Sequence, residues 1–320
     1  RLTGLWAAMR RAEADVYYQR GIDLETGHVA AWCRRHGRRF IFAVAHDSNC
    51  RYDLPTRRGL HERWLCRYGL RRADVVISQT DHQREMLRAQ FGRDSVLIRS
   101  CAADPQDVHM AVEAPAAFAP PRLLWVGRFS REKRLDLLLE LAKRCPGISF
   151  AVVGKANADS AYGRELTERA AALPNIELVG YVPNHRMAAQ YASASALICT
   201  SSAEGFPNTF LEAWSRRLPV ITTVDPDGLV AAEGLGLVLD ETGGSVGLDT
   251  AARSLQQFVN DPAVRARCGA AARARFMAHH TIDRAADQYA EVIEGAASAR
   301  SRAGRVARPR TSAQPVADTA

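Results

Sequence analysis

Arg122-Leu-Leu-Trp-Val-Gly127-Arg128-Phe-Ser-Arg-Glu-Lys133 opens on a short apolar run, stops at a glycine and continues into a basic segment. Ser149-Phe-Ala-Val-Val-Gly154 and Ile176-Glu-Leu-Val-Gly180 repeat the apolar run and its closing glycine. Between them, residues 134–144 carry leucine at helical spacing, and residues 162–173 read as a second helix. The alternation continues with a short helix at 185–193, a strand at 196–200, a helix at 208–217, and strands at 219–223 and 236–240. Helices follow from residue 248 to about 294, with a break at Asp261-Pro262. Short buried strands alternating with amphipathic helices imply an α/β fold with a parallel, doubly wound sheet.

The residues in front repeat the theme less completely. Segments 14–18, 40–45, 73–78 and 95–99 are strand candidates, with helices at 60–68 and 82–91 between them. The expected organisation is therefore two Rossmann-like domains with parallel sheets, the first incomplete. They would cover 1–120 and 121–296, joined by an Ala- and Pro-rich linker over 102–121. Residues 297–320, rich in Arg, Ala, Ser and Pro without periodicity, read as a disordered basic tail. The length of 320 residues accommodates two domains, and 24% charged residues is an ordinary globular level. No run of 18 apolar residues offers a spanning helix.

Cysteines at 33, 50, 66, 101, 145, 199 and 268 are odd in number and scattered, with no CxxC. That pattern argues against a zinc site and against a disulfide framework, and it fits a reducing cytosol. The net charge is +8, and only three of the 43 basic residues are lysines: Lys133, Lys143 and Lys155. Such a skew toward Arg is what GC-rich coding produces, which weakens a nucleic-acid reading. Position is more telling than total. Residues 1–100 hold 19 Arg against 11 acids, so they carry the whole excess. A basic first part suggests an anionic partner: a phosphorylated substrate, an acidic membrane surface or a polyanion.

Open α/β sheets bind ligands beyond the carboxyl ends of their strands, so the residues just after each strand are the candidates. After 122–126, Gly127 turns the chain toward Arg128 and Lys133, with Lys133 expected at a helix start. That grouping reads either as a diphosphate site or as a solvated helix end. After 196–200 comes Ser201-Ser202-Ala-Glu204-Gly205-Phe206-Pro207-Asn208-Thr209-Phe210-Leu211-Glu212. Glu204 lies in a loop shaped by Gly205 and Pro207, where it can meet sugar hydroxyls or simply open a helix. Glu212, set among Leu211, Ala213 and Trp214, can meet a ribose diol, and its apolar neighbours make a purely solvated role a poor fit. His46-Asp47 follows the strongest strand of the first domain. His46 reads equally as a polar-chemistry group or as a hydrogen-bonded loop residue.

Gly127-Arg128…Glu132-Lys133, Gly180-Tyr181-Val182 and Glu204-Gly205-Phe206-Pro207-Asn208…Glu212-Ala213 together resemble the nucleotide-sugar glycosyltransferases of family 4, which have the GT-B fold. Glu204 and Glu212 match that family's E-x7-E motif. The resemblance is strong over residues 122–232 and weaker over 36–100. It implies a retaining transfer of a sugar from a nucleotide-diphosphate donor to a polysaccharide, glycolipid or lipid-linked acceptor, as in cell-envelope polysaccharide biosynthesis. Arg128 and Lys133 would hold the diphosphate, Glu204 the donor sugar and Glu212 the ribose. Gly205 to Thr209 would supply backbone contacts to sugar and phosphate, and Gly127, Tyr181 and Val182 would complete the donor site. His46 matches the family's active-site histidine beside the transferred sugar. No metal and no cofactor apart from the donor are implied, because cationic side chains take the metal's place.

The family begins with a strand and a glycine-rich loop, and nothing here matches them. Arg1-Leu2-Thr3-Gly4 does not read as a leader, and the chain begins without Met. The expectation is that roughly 60–90 preceding residues are missing, from ordinary domain size. The expected location is cytoplasmic, peripheral on the inner face of the plasma membrane through the basic first domain. Two other readings compete: another GT-B nucleotide-sugar enzyme such as an epimerase, and a non-catalytic binder of anionic surfaces.

Overall fold

A computed structural model describes residues 2–54, 59–105, 121–156, 161–240 and 242–306. They form two compact units. The first comprises residues 1–78, 83–97 and 287–320, and the second residues 79–82 and 98–286. The boundary thus falls at Leu97/Ile98, ahead of the expected 120/121. Most of the expected linker, residues 106–120, lies outside the described residues.

The first unit opens with α1 (Leu2–Ala12), β1 (Val16–Arg20), α2 (Leu24–Arg35) and β2 (Arg39–Ala43). It continues with α3 (Leu60–Arg72), β3 (Val75–Ser78), α4 (Asp81–Phe91) and β4 (Val96–Leu97). The four strands pair in parallel, in chain order β1-β2-β3-β4. Right-handed crossovers between successive neighbours put α2, α3 and α4 on one face of this sheet. One core cluster accordingly gathers Val29 and Trp32 of α2, Cys66 and Leu70 of α3, and Leu87 and Phe91 of α4 around Phe40, Phe42 and Val76. Helices α2 and α3 touch backbone to backbone: a Cβ on Gly27 would sit 2.5 Å from the Leu65 carbonyl oxygen, and one on Gly69 2.7 Å from Thr26.

In the second unit the elements are β5 (Arg122–Val126), α5 (Leu135–Arg144), β6 (Ser149–Val153), α6 (Ala161–Ala171) and β7 (Ile176–Gly180). Then come α7 (Met187–Ala192), β8 (Ala196–Cys199), α8 (Asn208–Trp214), β9 (Val220–Thr222), α9 (Leu229–Ala232) and β10 (Gly236–Val238). The chain closes with α10 (Ser245–Asn260), α11 (Pro262–His279) and α12 (Ile282–Val306). The sheet order is β10-β9-β8-β5-β6-β7, all parallel. This is the doubly wound arrangement, with helices on both faces and a switch of direction between β5 and β8.

The apolar runs have a simple cause. Leu123, Trp125, Phe150, Val152, Ala196 and Ile198 belong to one core cluster. Their alternating neighbours Leu124, Ala151, Val153, Leu197 and Cys199 belong to another. Both faces of β5, β6 and β8 are buried at these residues, so neither position in the two-residue period is polar there, whereas the edge strand β7 carries the exposed Glu177.

Two expectations about the C-terminal segment are corrected. Residues 297–306 extend α12 instead of forming a disordered tail, because alanine and arginine are strong helix formers; residues 307–320 lie outside the described residues. From Asp287 onward α12 belongs to the first unit, not the second, and the Tyr289 ring packs edge-on against Tyr18 of β1 at 5.9 Å.

Candidate functional site

The switch point places the carboxyl ends of β5 and β8 side by side, so the segments after them must meet. They do so through the chain itself. Thr200 Oγ1 lies 2.9 Å from both the Lys133 and the Arg134 carbonyl oxygens, and Ser202 N donates to the Glu132 carbonyl at 2.8 Å. Trp125 Nε1 donates to the same Thr200 hydroxyl at 3.0 Å, orienting it from the core side. Across this junction Lys133 Nζ forms an ion pair with Glu204 Oε1. Ser201 Oγ donates to that same oxygen at 2.7 Å. Both partners are largely buried, at 26% and 15% side-chain exposure, so the pair is poorly screened by solvent.

Lys133 is not at the start of a helix as expected. It ends a single 3-10 turn, Arg131–Lys133, and Arg134 in the left-handed region separates it from α5. The two carbonyls bonded by Thr200 hold the chain in this detour. Arg128 is 78% exposed and pairs with Glu132 at 3.3 Å, a surface contact of little energetic weight that leaves the guanidinium able to move.

Behind these side chains the backbones crowd. Gly127 N donates to the Val153 carbonyl at 3.0 Å, and Gly154 N donates to the Gly180 carbonyl at 2.9 Å. Gly154 has φ +149, and a Cβ there would lie 1.9 Å from the Gly127 carbonyl oxygen. Three successive loops at the carboxyl edge are thus tied together by their closing glycines. Tyr181 is exposed, with Lys155 Nζ 5.5 Å from its ring centroid, whereas Val182 is half-buried against the core. Lys155 was legible only as the residue after a strand-closing glycine, the same position that Arg128 holds after Gly127.

Past Glu204 the loop is anchored from below. Gly205, Phe206 and Pro207 are buried, and the Phe206 ring packs 5.3 Å from His280 and 5.9 Å from Trp214. Phe206 is a core residue, so only its backbone can face a ligand. Asn208 and Thr209 open α8. Glu212, half-buried on α8, accepts a hydrogen bond at Oε2 from the Tyr191 hydroxyl at 2.6 Å. Burial and the adjacent Glu212 carboxylate push the Tyr191 phenol well above its ordinary value, so it stays a donor. Tyr191 and Ser201 escaped the sequence reading, because nothing local marks a tyrosine or serine as a carboxylate's partner.

His46 lies in the first unit, three residues beyond β2, and its ring is exposed, not packed into the core. Nδ1 accepts from Ser48 N at 3.2 Å, capping the 3-10 turn Asp47–Cys50. That bond needs Nδ1 unprotonated, which leaves the proton of the neutral ring on Nε2. The Asn49 carboxamide oxygen accepts from the Ala45 and His46 amides and fixes the loop.

Two parallel-sheet Rossmann-like units, the second with cationic and carboxylate loops at its switch point, are the architecture of the GT-B glycosyltransferases. The family described as Glycosyl transferases group 1 matches residues 116–275, half of the chain, and the chain belongs to that family. Solved structures with the same fold include sucrose-phosphate synthase from Thermosynechococcus elongatus, with 19% identity over 93% of this chain and 77% of that one (TM-score 0.74). HepE from Anabaena, in complex with UDP and glucose, shares 16% identity over 92% of this chain and 80% of its own (TM-score 0.72). TarM from S. aureus, solved with UDP among its ligands, shares 14% identity over 91% of this chain and 58% of its own (TM-score 0.69). A search of the curated proteins finds no match.

Proposed function

We propose that this chain is a retaining glycosyltransferase of the family 4 type. It moves a sugar from a nucleotide-diphosphate donor to a polysaccharide, glycolipid or lipid-linked acceptor, without a metal ion. The observation that carries this reading is the Lys133–Glu204 ion pair at the switch point of the second sheet, with the exposed guanidinium of Arg128 on the same loop as Lys133. HepE is also solved with UDP-glucose, and pneumococcal GtfA with UDP and GlcNAc, which supports a nucleotide-sugar donor and a sugar-containing acceptor.

In this reading the bond between the anomeric carbon and the β-phosphate oxygen breaks, and its electron pair leaves with the diphosphate. The acceptor hydroxyl oxygen bonds to the carbon, and its proton passes to the departing phosphate. Arg128 and Lys133 stabilise the growing negative charge, the task a metal performs elsewhere. Glu204 contacts the donor sugar and Glu212 the ribose. The backbone of Gly205 to Thr209 lines sugar and phosphate, and Gly127, Tyr181 and Val182 complete the donor site. His46 offers its Nε2–H to the sugar, whose oxocarbenium-like transition state needs a hydrogen-bond partner and no strong nucleophile.

The basic first unit supports an anionic partner. It contains a cavity of about 590 Å3 lined by Arg34, His36, Arg38, Arg39, Arg72 and Asp74. Arg38 pairs with Asp15 and Arg39 with Asp74, while Arg34 and Arg72 have no carboxylate partner among the described residues. Among the described residues no helix is long and apolar enough to cross a membrane. We place the protein in the cytoplasm, held peripherally at an anionic leaflet.

Calorimetry with UDP, GDP and ADP tests the donor site. Charge-assisted contacts are worth roughly 1.5–3 kcal/mol each. Lys133→Ala is therefore expected to weaken the best nucleotide by about tenfold or more. Unchanged affinity in a folded variant would refute the assignment.

A further inference from the structure

Tyr191 lies outside every motif that led to the donor site. It sits on α7 and is 1% exposed, and its hydroxyl reaches across to α8, 2.6 Å from Glu212 Oε2. The ring is held on its own account. It is part of the core cluster on that face of the sheet, and the Arg216 guanidinium lies 5.1 Å from its centroid. Arg216 in turn donates to the Glu212 carbonyl oxygen at 2.8 Å, so one cation fixes both the tyrosine ring and the backbone beneath the glutamate.

The consequence is an asymmetric carboxylate. Oε2 of Glu212 is occupied by a buried, fixed donor, and Oε1 accepts no hydrogen bond from the described residues. A glutamate has three side-chain torsions, and holding one oxygen removes most of that freedom before a ligand arrives. What remains is a single open acceptor oxygen at a set place, on the helix that follows the Glu204 loop. A salt-bridged surface glutamate would have a cation as its partner. This one has a neutral hydroxyl, which orients the carboxylate without neutralising it.

We propose that Tyr191 is a positioning residue for the donor ribose: it anchors one oxygen of Glu212 so that the other accepts from the ribose hydroxyls. The proposal rests on reading Glu212 as the ribose ligand. Tyr191→Phe removes the hydroxyl and keeps the ring, so the core stays filled. Calorimetry would use whichever of UDP, GDP and ADP binds best, together with its 2′,3′-dideoxy counterpart. Circular dichroism would establish that each variant is folded.

The expected result is that Tyr191→Phe and Glu212→Gln each weaken the ribonucleotide by about tenfold and leave the dideoxy nucleotide unchanged. The double variant should be no weaker than Glu212→Gln alone, because both changes act through one contact. If Glu212→Gln discriminates and Tyr191→Phe does not, the role of Tyr191 is overturned and the ribose reading stands. If Glu212→Gln shows no discrimination, both fall. Equal weakening of the two nucleotides by Tyr191→Phe would mark a merely structural tyrosine and overturn the proposal. A third variant, Tyr191→His, restores a donor near the same place and should recover part of the discrimination.

Discussion

Glu204 and Glu212 are two carboxylates on one loop and helix, and their partners separate their work. Glu204 Oε1 is held by the Lys133 ammonium and the Ser201 hydroxyl, beside the place assigned to the diphosphate and the transferred sugar. Among the described residues, Glu212 is held at its carboxylate by the Tyr191 hydroxyl. A contact to ribose is present before and during reaction alike, so Glu212→Gln should chiefly raise the donor KM. A contact to the sugar strengthens as positive charge develops, so Glu204→Gln should chiefly lower kcat. Steady-state kinetics with varied donor measures both, and the same parameter moving in both variants would sink the distinction. The spacing of these two glutamates was legible in the sequence. The Lys133–Glu204 pair joins residues 71 positions apart and Tyr191–Glu212 residues 21 apart, and no local pattern predicts either.

Among the elements, the loops closing β5, β6 and β7 depend on glycine at one point above all. Gly154 has φ +149, which L side chains rarely adopt, and an added Cβ would strike the Gly127 carbonyl oxygen. Gly154→Ala must therefore either distort β6 or push the Arg128 loop aside. We expect a loss on the order of 3 kcal/mol, read as a lower urea midpoint at an unchanged m-value, with nucleotide affinity reduced as well. An alanine variant with wild-type midpoint would show that the loop yields at no cost. Most strands and helices were visible as periodicity because each buries its own stripe. Helix α2 was not, since Gly27 and His28 interrupt its apolar pattern. Its one clear signal was Asp23, whose side chain accepts from the Glu25 and Thr26 amides while the Thr26 hydroxyl accepts from the Asp23 amide.

For the molecule as a whole, His280 sets a pH limit on stability. It is fully buried at the end of α11, between Phe206 and Trp214, with Nδ1 donating to the Ser100 carbonyl at 2.7 Å. Its Nε2 has no partner among the described residues. Burial, reinforced by Arg275, Arg99 and His279 and opposed by the Ser100 bond, lowers it to about 4. The unfolded chain therefore takes up this proton near pH 6.5 and the folded chain only near 4. Stability is unaffected above about 6.5, falls as pH drops toward 4, and levels off below, with a total of about 3 kcal/mol. His280→Asn keeps an N–H for Ser100 and does not titrate. Urea midpoints of the two proteins should diverge between pH 7 and pH 4.5, and parallel profiles would exclude His280 as the cause. Charge acts at the same scale. All of the +8 lies in residues 1–100, and each arginine near an acidic leaflet is worth about 1 kcal/mol, less as salt rises. Co-sedimentation with liposomes should increase with anionic lipid and vanish at high salt; equal binding to neutral vesicles would defeat the membrane contact.

The amino-acid sequence by itself determined most of the strands and helices, though not α1, α2 or α9, that the second sheet is parallel and covered on both faces, and which loops carry charge at its carboxyl edge. Those properties follow from periodicity and burial, which act over a few residues. Only the tertiary structure decided the strand order β10-β9-β8-β5-β6-β7 that brings Lys133 to Glu204, the placing of α12 from Asp287 onward in the first unit, and the choice of Tyr191 as the partner of Glu212. Each of these is a pairing between distant segments. It is settled by the handedness of crossovers and by which apolar faces fit together, neither of which leaves a mark on any single stretch of chain.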